Sequence, residues 1–269
     1  MKESAILMHK PRNRQRHLWL LAGTGEGPGI AKALLAQGFK VSVSVVTESA
    51  ALAYAGIPLT HLRVGALACS ADVIDRIRRD RIDGLVDATH PFATTITAQL
   101  REASAVLGCP LLRYERPVEP TLGSRVVTDP SEIPAADLAD RNVLLALGAR
   151  HLPWLVPALA AAGAVVHARV LPTPLALRQA VAAGIPECRI ALLRPLQGSS
   201  PGLLEMALCR RWAIDLVICR QSGGGAERSW HRVCTRLDRP LWLLRRPLPP
   251  PDLPLVQSVD DLLVQVGRW

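Results

Sequence analysis

The sequence has no apolar run approaching the roughly 18 to 20 residues that a membrane-spanning helix needs. No hydrophobic block follows its basic N-terminus, so we do not expect a secretory signal. Its six cysteines form no C-x-x-C pair, and its seven histidines and six cysteines never cluster at metal-ligand spacing. We therefore expect neither a disulfide scaffold nor a metal site, and the pattern favours a cytoplasmic protein with reduced thiols.

The charge is positive and unevenly distributed. The 269 residues carry 32 Lys and Arg against 23 Asp and Glu, a net charge of +9. Four units of that charge lie in residues 1–17, which have no periodic apolar face and which we interpret as a disordered leader. The alternative is a nucleic-acid or membrane-surface tether, but the segment has no interleaved aromatic residues. The remaining +5 suits an anionic ligand.

Short apolar runs alternate with segments of helical spacing along the chain. A clear helical pattern is Phe92, Ile96, Leu100, Ala103 and Leu107. The alternation predicts an α/β protein with two doubly wound, mainly parallel, Rossmann-like domains and a cleft between them. The predicted strands are 18–22, 41–46, 61–64, 84–88, 110–114, 143–147, 165–170, 190–193, 215–219 and 241–244.

The predicted domain boundary lies where the alternation lapses. Residues 115–140 contain four prolines and no clear strand or helix pattern. We therefore assign residues 18–125 to a nucleotide-binding domain and 126–269 to a second domain. The second domain would include the proline-rich stretch at 247–254 and a C-terminal helix over 259–266.

A glycine-rich loop follows the first predicted strand and precedes a helix. Gly23, Thr24, Gly25, Glu26 and Gly27 form this loop, and that context is typical of a phosphate site at a helix N-terminus. A glycine-rich turn without a ligand is the alternative.

Hydroxyl groups mark the second predicted strand. Ser44 and Thr47 stand where an NAD-binding fold usually has an acidic residue, with Glu48 just beyond. Hydroxyls at this position tolerate a 2′-phosphate, which favours NADPH as the cofactor.

The segment Asp87 to Ala93, with sequence Asp-Ala-Thr-His-Pro-Phe-Ala, ends the fourth predicted strand. Open α/β sheets bind ligands at this edge. We expect Thr89 to cap a helix that Pro91 starts, which would leave His90 exposed to a ligand; a structural histidine is the alternative. At the end of the fifth predicted strand, Arg113 and Arg116 carry guanidiniums that suit carboxylates. The alternative is that this strand end is simply exposed to solvent.

Five motifs together resemble the precorrin-6A reductase family of cobalamin biosynthesis. They are the Gly-Thr-x-Glu loop, the Asp-Ala-Thr-His-Pro-Phe-Ala segment, Arg-Tyr-Glu-Arg-Pro at 113–117, Arg-Gln-Ser-Gly-Gly at 220–224 and Leu-Leu-Arg-Arg-Pro at 243–247. The resemblance spans residues 18–250. The chain departs from the family where Arg220 and Gln221 replace a lysine and an asparagine or aspartate, and where Trp230 replaces a second lysine.

The resemblance implies that NADPH reduces one carbon–carbon double bond of precorrin-6A, an anionic tetrapyrrole, to give precorrin-6B. It implies cofactor contacts for Thr89, His90 and Pro91 besides the glycine loop, and a role for His90 in protonation or in positioning the nicotinamide. The substrate-binding residues that it implies are Arg113, Arg116, Arg220, Gln221, Ser222, Gly223, Gly224, Arg245 and Arg246.

Other functions remain open at this point. The substrate could be the cobalt-loaded macrocycle, since no motif reads the ring centre. A methyltransferase of the same pathway is disfavoured, because no acidic ribose ligand follows the second strand. A non-catalytic NADP-sensing or nucleic-acid-binding module would bind nucleic acid in a salt-sensitive way, and deletion of residues 1–17 would abolish that binding. For the reductase we expect no nucleic-acid or membrane partner, and other enzymes of the corrin pathway are candidate partners.

Overall fold

A computed structural model describes residues 15–121, 123–129, 132–194 and 200–269. Most of the predicted leader, residues 1–17, lies outside the described residues. Its last three positions are ordered: the Gln15 amide donates to the Gly38 carbonyl at 2.6 Å, an Arg16 guanidinium nitrogen donates to Val266 O at 3.3 Å, and His17 begins the first strand. The first strand therefore begins inside the predicted leader.

The described residues form parallel strands joined mainly by helices. The strands are β1 (His17–Ala22), β2 (Lys40–Val45), β3 (His61–Val64), β4 (Gly84–Ala88), β5 (Leu111–Tyr114), β6 (Arg125–Val127), β7 (Asn142–Ala146), β8 (Val165–Val170), β9 (Ile190–Leu192), β10 (Leu216–Arg220), β11 (Leu241–Leu244) and β12 (Leu255–Val256). The α-helices are α1 (Gly27–Ala36), α2 (Glu48–Ala51), α3 (Ser70–Asp80), α4 (Thr94–Leu107), α5 (Leu152–Ala161), α6 (Pro174–Ala182), α7 (Leu203–Arg211), α8 (Gly225–Leu237) and α9 (Val259–Gly267). No helix in the described part of the chain is long and apolar enough to span a bilayer.

The strands form two six-stranded parallel sheets, in the orders β12-β5-β4-β1-β2-β3 and β6-β11-β10-β7-β8-β9. If β7 to β11 are matched with β1 to β5, the two orders are the same. Both follow the 3-2-1-4-5 order of dinucleotide-binding folds, with one further strand at the edge. The predicted α/β class with two parallel-sheet, Rossmann-like domains is confirmed, and all ten predicted strands are present.

The sixth strand of each sheet was not predicted, and it changes the domain boundaries. The chain divides into one compact unit that runs to Glu115 and includes Pro249–Trp269, and a second unit of Arg116–Leu248. The tail joins the first unit because β12 pairs with β5, and Leu262 and Val266 of α9 are buried in the core of that unit. The expected placement of this tail in the second domain is therefore wrong.

The first sheet is covered on both faces, because the side chains of β1 alternate between two apolar cores. Leu18 and Leu20 pack with residues of α1 and α9, whereas Trp19 and Leu21 pack with residues of α3 and α4. This packing fixes the carboxyl ends of β1 and β4, from which the glycine loop and the histidine segment leave the sheet.

Candidate functional site

The glycine loop lies directly against the histidine segment. A Cβ built on Gly23 would lie 3.3 Å from the His90 amide nitrogen and 3.5 Å from the Thr89 Cα. The Gly23 amide and the Thr24 hydroxyl both donate to the Ala88 carbonyl at 3.4 Å. The two motifs are therefore neighbours, because β1 and β4 pair in parallel and end at the same edge of the sheet.

The rest of the glycine loop fits a phosphate group. Helix α1 begins at Gly27, with Pro28 in its first turn, so amide donors at its N-terminus face the loop. Nothing lies within 4 Å of a Cβ built on Gly25, which leaves that side of the loop open. A Cβ on Gly27, by contrast, would collide with the hydroxyl of Tyr54.

Tyr54 lies beside this loop and was not among the residues predicted for the site. Its side chain is 4% exposed, and its hydroxyl has no hydrogen-bond partner among the described residues. Burial raises its pKa to about 12, so the phenol stays protonated and remains a donor. A protonated hydroxyl beside a phosphate-type loop suits an anion. No sequence pattern singled out this residue, because it lies in a 3-10 turn distant from the motif.

The two hydroxyl residues predicted at β2 have different surroundings. Ser44 is buried, and its Oγ accepts a hydrogen bond from the Trp19 indole at 2.9 Å. This position favours a structural role for Ser44 over the predicted cofactor contact. Thr47 is exposed beyond the strand end and caps α2 by accepting from the Ala50 amide at 3.2 Å.

Asp87 organises the segment that carries His90. Its carboxylate is fully buried and accepts hydrogen bonds from the Thr89 amide at 3.0 Å and the Thr89 hydroxyl at 2.7 Å. The second oxygen accepts from the Thr97 hydroxyl at 2.7 Å. The backbone after β4 is thereby held in a tight turn, and His90 emerges from it half-buried.

The helix after this turn begins later than expected. Thr89 does not cap it and Pro91 does not start it, because α4 begins at Thr94 and the Thr89 hydroxyl is bonded to Asp87. Pro91 itself is buried in the turn. The Nδ1 atom of His90 accepts from the Phe92 amide at 3.2 Å, so the neutral ring carries its proton on Nε2.

Arg113 is buried in the same network. It is 3% exposed, and its guanidinium donates to Asp87 at 2.6 Å, to Glu115 at 2.7 Å and to Thr97 at 2.8 Å. Burial lowers the pKa of this guanidinium, but the Asp87 and Glu115 carboxylates outweigh it, so its pKa is raised. These contacts favour a structural role for Arg113 over the predicted substrate contact. A signal was present in the sequence: an aspartate inside an apolar strand requires a buried cation.

In the second unit, the Gln-Ser-Gly-Gly turn links β10 to α8. Gln221 and Ser222 are buried. Gly223 has a φ of 58°, its amide donates to Glu227 at 2.6 Å, and its carbonyl accepts from the Arg116 guanidinium. A Cβ on Gly223 would collide with the Pro117 carbonyl oxygen, so the turn requires glycine at this position.

Of the four remaining predicted arginines, Arg220 is half-buried at the end of β10, and the other three divide into two groups. Arg116 and Arg246 are partly exposed near this turn, and the Arg246 guanidinium donates to the Arg116 carbonyl at 2.7 Å. The Gly224 amide donates to Glu119 at 3.0 Å, beside Arg116. Arg245 is exposed and donates to the Thr128 hydroxyl at 3.1 Å, at the far edge of the sheet beside β6.

Two further observations bear on the predicted chemistry. Trp230 is 4% exposed and packs in the core of the second unit, so it cannot make the polar contact of the lysine that it replaces. Within the described ranges, no group of three or more His, Cys, Asp or Glu could hold a metal ion.

Comparisons with known proteins identify the family. A family model described as precorrin-6x reductase CbiJ/CobK matches residues 17–266. A cobalt-precorrin-6A reductase from Synechocystis sp. is 34% identical and covers 91% of this chain and 92% of its own. A precorrin-6A reductase from Mycobacterium tuberculosis is 30% identical over 92% of this chain and 96% of its own. A solved structure of CobK precorrin-6A reductase shares the fold, with a TM-score of 0.73, 24% identity, and 94% and 97% coverage of the two chains. The chain therefore belongs to the precorrin-6x reductase CbiJ/CobK family.

Proposed function

We propose that this protein uses NADPH to reduce one carbon–carbon double bond of precorrin-6A, giving precorrin-6B. Membership of the precorrin-6x reductase family supports an oxidoreductase of cobalamin biosynthesis. The observation that carries the proposal is the close approach of Gly23 to Thr89 and His90, which brings a phosphate-type loop and a titratable side chain to one sheet edge.

We assign the nicotinamide dinucleotide to the first unit. The loop from Gly23 to Gly27 and the N-terminus of α1 would hold the pyrophosphate through backbone amides, with the Tyr54 hydroxyl as a further donor. Thr47, exposed beyond the end of β2, would contact the 2′-phosphate of NADPH. When bound, NADPH supplies the hydride for one carbon of the double bond.

His90 stands at this edge to position the nicotinamide or to deliver the proton that the other carbon requires. Its Nδ1 accepts from the Phe92 amide in the neutral ring, so delivery of a proton requires the imidazolium form, in which that hydrogen bond is broken. The reduction adds a hydride and a proton across the double bond and forms two carbon–hydrogen bonds. The protein otherwise orients the two reactants and keeps water from the reacting atoms.

The substrate-binding part of the proposal concerns the second unit. The partly exposed Arg116, Arg220 and Arg246 at the Gln-Ser-Gly-Gly turn would bind carboxylates of the tetrapyrrole. Gln221, Ser222, Gly223 and Gly224 would shape this turn, and Arg245, which bonds to Thr128, would contribute at long range only.

The cobalt-loaded macrocycle is a second candidate substrate. It is favoured by the similarity to the Synechocystis relative, a cobalt-precorrin-6A reductase. Assays with each macrocycle, with and without cobalt, distinguish the two.

We also propose that the protein works in the cytoplasm. All six cysteines are free thiols, four of them buried, which suits a reducing compartment.

The experiment is a titration of the purified protein with NADPH and NADH, followed by turnover of precorrin-6A. We expect tight binding of NADPH only. Gly23→Ala should weaken NADPH binding about tenfold, equivalent to about 1.4 kcal/mol, because its Cβ narrows the space beside His90. The control is Gly29→Ala, since nothing lies within 4 Å of a Cβ there. Binding of neither cofactor by the wild type contradicts the proposal.

A further inference from the structure

Three guanidiniums stand at the carboxyl edge of the second sheet on consecutive strands. The order β8-β7-β10 places Arg169 near the end of β8, Arg150 in the turn after β7 and Arg220 at the end of β10. Strand β7 pairs with both neighbours, and its Ala146 is level with Arg169 of β8 and with Cys219 of β10. Arg220 is the residue after Cys219. Neighbouring strands are about 4.8 Å apart, so the Cα atoms of Arg169 and Arg220 lie about 10 Å from each other. Their side chains leave opposite faces of the sheet, so the two guanidiniums approach each other only beyond the ends of the strands.

The turn after β7 brings Arg150 towards Arg220. Gly148 has a φ of 84°, and a Cβ built on it would lie 3.9 Å from the Nη2 of Arg220. The 3-10 turn Ala149–His151 follows directly and leads into α5. Arg150 is exposed in this turn, and His151 is half-buried beside it.

The electrostatics agree with this convergence. Burial, together with repulsion from the guanidiniums of Arg150, Arg116 and Arg169, lowers the pKa of Arg220 to about 10. The pKa of His151 falls to about 4, through burial and the charges of Arg220 and Arg150. At neutral pH the arginines are therefore charged and His151 is neutral, and like charges held this close favour binding of an anion.

Arg169 provides an independent observation. Its side chain is 11% exposed, and its Nε and Nη2 atoms have no hydrogen-bond acceptor among the described residues. The nearest carboxylate oxygen in its ion pair, Oε1 of Glu205, lies 3.7 Å away, and the other oxygen of Glu205 has no donor there. Buried guanidinium donors are almost always hydrogen-bonded in native proteins, so Arg169 is suited to an acceptor that a ligand brings.

The position of this cluster in the fold also points to an anion. The strand β7 corresponds to β1, so the turn carrying Arg150 and His151 corresponds to the glycine loop of the first unit. Dinucleotide-type folds bind anionic groups at this place. Here the turn carries a charged arginine, Arg150, in place of a run of glycines. A guanidinium suits a carboxylate, which it can bind through two hydrogen bonds.

We propose that Arg150, Arg169, His151 and Arg220 form an oxyanion subsite that binds a carboxylate of the tetrapyrrole substrate. The proposal rests on the proposed function, and it adds Arg150, Arg169 and His151 to the substrate-binding residues. The same chemistry would accept a cofactor phosphate, but the phosphate-type loop belongs to the other unit, so we assign the subsite to the substrate.

The test uses Arg150→Gln, because this side chain is exposed and its replacement leaves the core intact. The matched control is Arg178→Gln, an exposed arginine on α6 of the same unit. Loss of one charged hydrogen bond should raise KM for precorrin-6A about tenfold and leave kcat within about twofold. The dissociation constant for NADPH should be unchanged, and Arg178→Gln should resemble the wild type. Arg169→Gln, checked for folding by circular dichroism, should repeat the KM effect.

Two results overturn the proposal: unchanged KM in Arg150→Gln, and weaker NADPH binding with unchanged KM, which would make the ligand a cofactor phosphate. Failure of the wild type to turn over either macrocycle would refute the proposed function instead. In that event, binding of uroporphyrin, a tetrapyrrole polycarboxylate, tests the subsite directly. Weaker binding to Arg150→Gln than to Arg178→Gln supports the subsite, and equal binding overturns it.

Discussion

The Asp87 carboxylate lies 2.6 Å from the Arg113 guanidinium, at the same register on the adjacent strands β4 and β5. Both side chains are almost completely buried. The pair therefore connects the strand that ends in the His90 turn to its neighbour. Asp87 also holds Thr89, so the position of the candidate proton donor depends on an interior ion pair.

Asp87→Asn should destabilise the protein by about 1 to 3 kcal/mol, because the amide loses charge-assisted hydrogen bonds from Arg113 and Thr89, while Glu115 still pairs with Arg113. It should also weaken NADPH binding, since the turn against Gly23 loses its anchor. Urea unfolding measures the first effect, and cofactor titration the second. Asp252→Asn, which breaks the exposed pair with Arg101, should leave the urea midpoint nearly unchanged. Equal effects of the two substitutions would contradict the role given to Asp87.

Tyr54→Phe should weaken NADPH binding without lowering the free energy of unfolding. The Tyr54 hydroxyl is buried without a partner in the described chain, so its removal should leave the unfolding free energy unchanged or raise it by up to about 1 kcal/mol. If the hydroxyl donates to the cofactor, NADPH binding should weaken at the same time. Urea unfolding without cofactor and NADPH titration give the two readings. A loss of stability would show that the hydroxyl has a structural partner.

The fold was largely predictable from the sequence because parallel strands buried on both faces appear as continuous apolar runs. The strands β6 and β12 were not, since they have three and two residues and lie in or beside proline-rich stretches. With β12 unseen, the tail could not be assigned to the first unit.

The sequence predicted which strand ends meet at the site, but not which side chains there turn into the core. The loops at Gly23 and His90 meet as parallel pairing requires. Ser44 and Arg113, however, turn inward, because Trp19 and Asp87 are buried polar groups that need partners. Those partnerships join strands distant in sequence, so the sequence can show that Asp87 needs a partner but not which residue supplies it.

Gly223→Ala should destabilise the Gln-Ser-Gly-Gly turn beyond the effect of backbone strain. Gly108→Ala is a matched control, since the φ values are 58° and 62° and nothing lies within 4 Å of a Cβ on Gly108. The control should lose about 1 kcal/mol. Gly223→Ala should lose about 1 to 3 kcal/mol more, because the Pro117 carbonyl must move. Urea unfolding compares them, and equal losses would show that this contact is unimportant.

The unfolding free energy should fall in mild acid because of His167. This buried ring stacks on Trp212 at 4.8 Å and contacts the Asn142 side-chain oxygen at 3.1 Å. Burial, with the Arg189 charge, lowers its pKa from 6.5 to about 4. The unfolded chain therefore binds a proton more readily than the folded one between these values, and stability is lost as the pH falls from 6.5 towards 4.

The contribution of His167 should be about 1 to 2 kcal/mol between pH 7 and pH 5. His167→Gln, which keeps a polar partner for Asn142, should reduce the pH dependence of urea unfolding by that amount. His61→Gln, at an exposed position on β3, should retain the wild-type slope. If both variants lose stability in acid as steeply as the wild type, groups other than His167 control the acid sensitivity, and the buried ring titrates near its ordinary pKa.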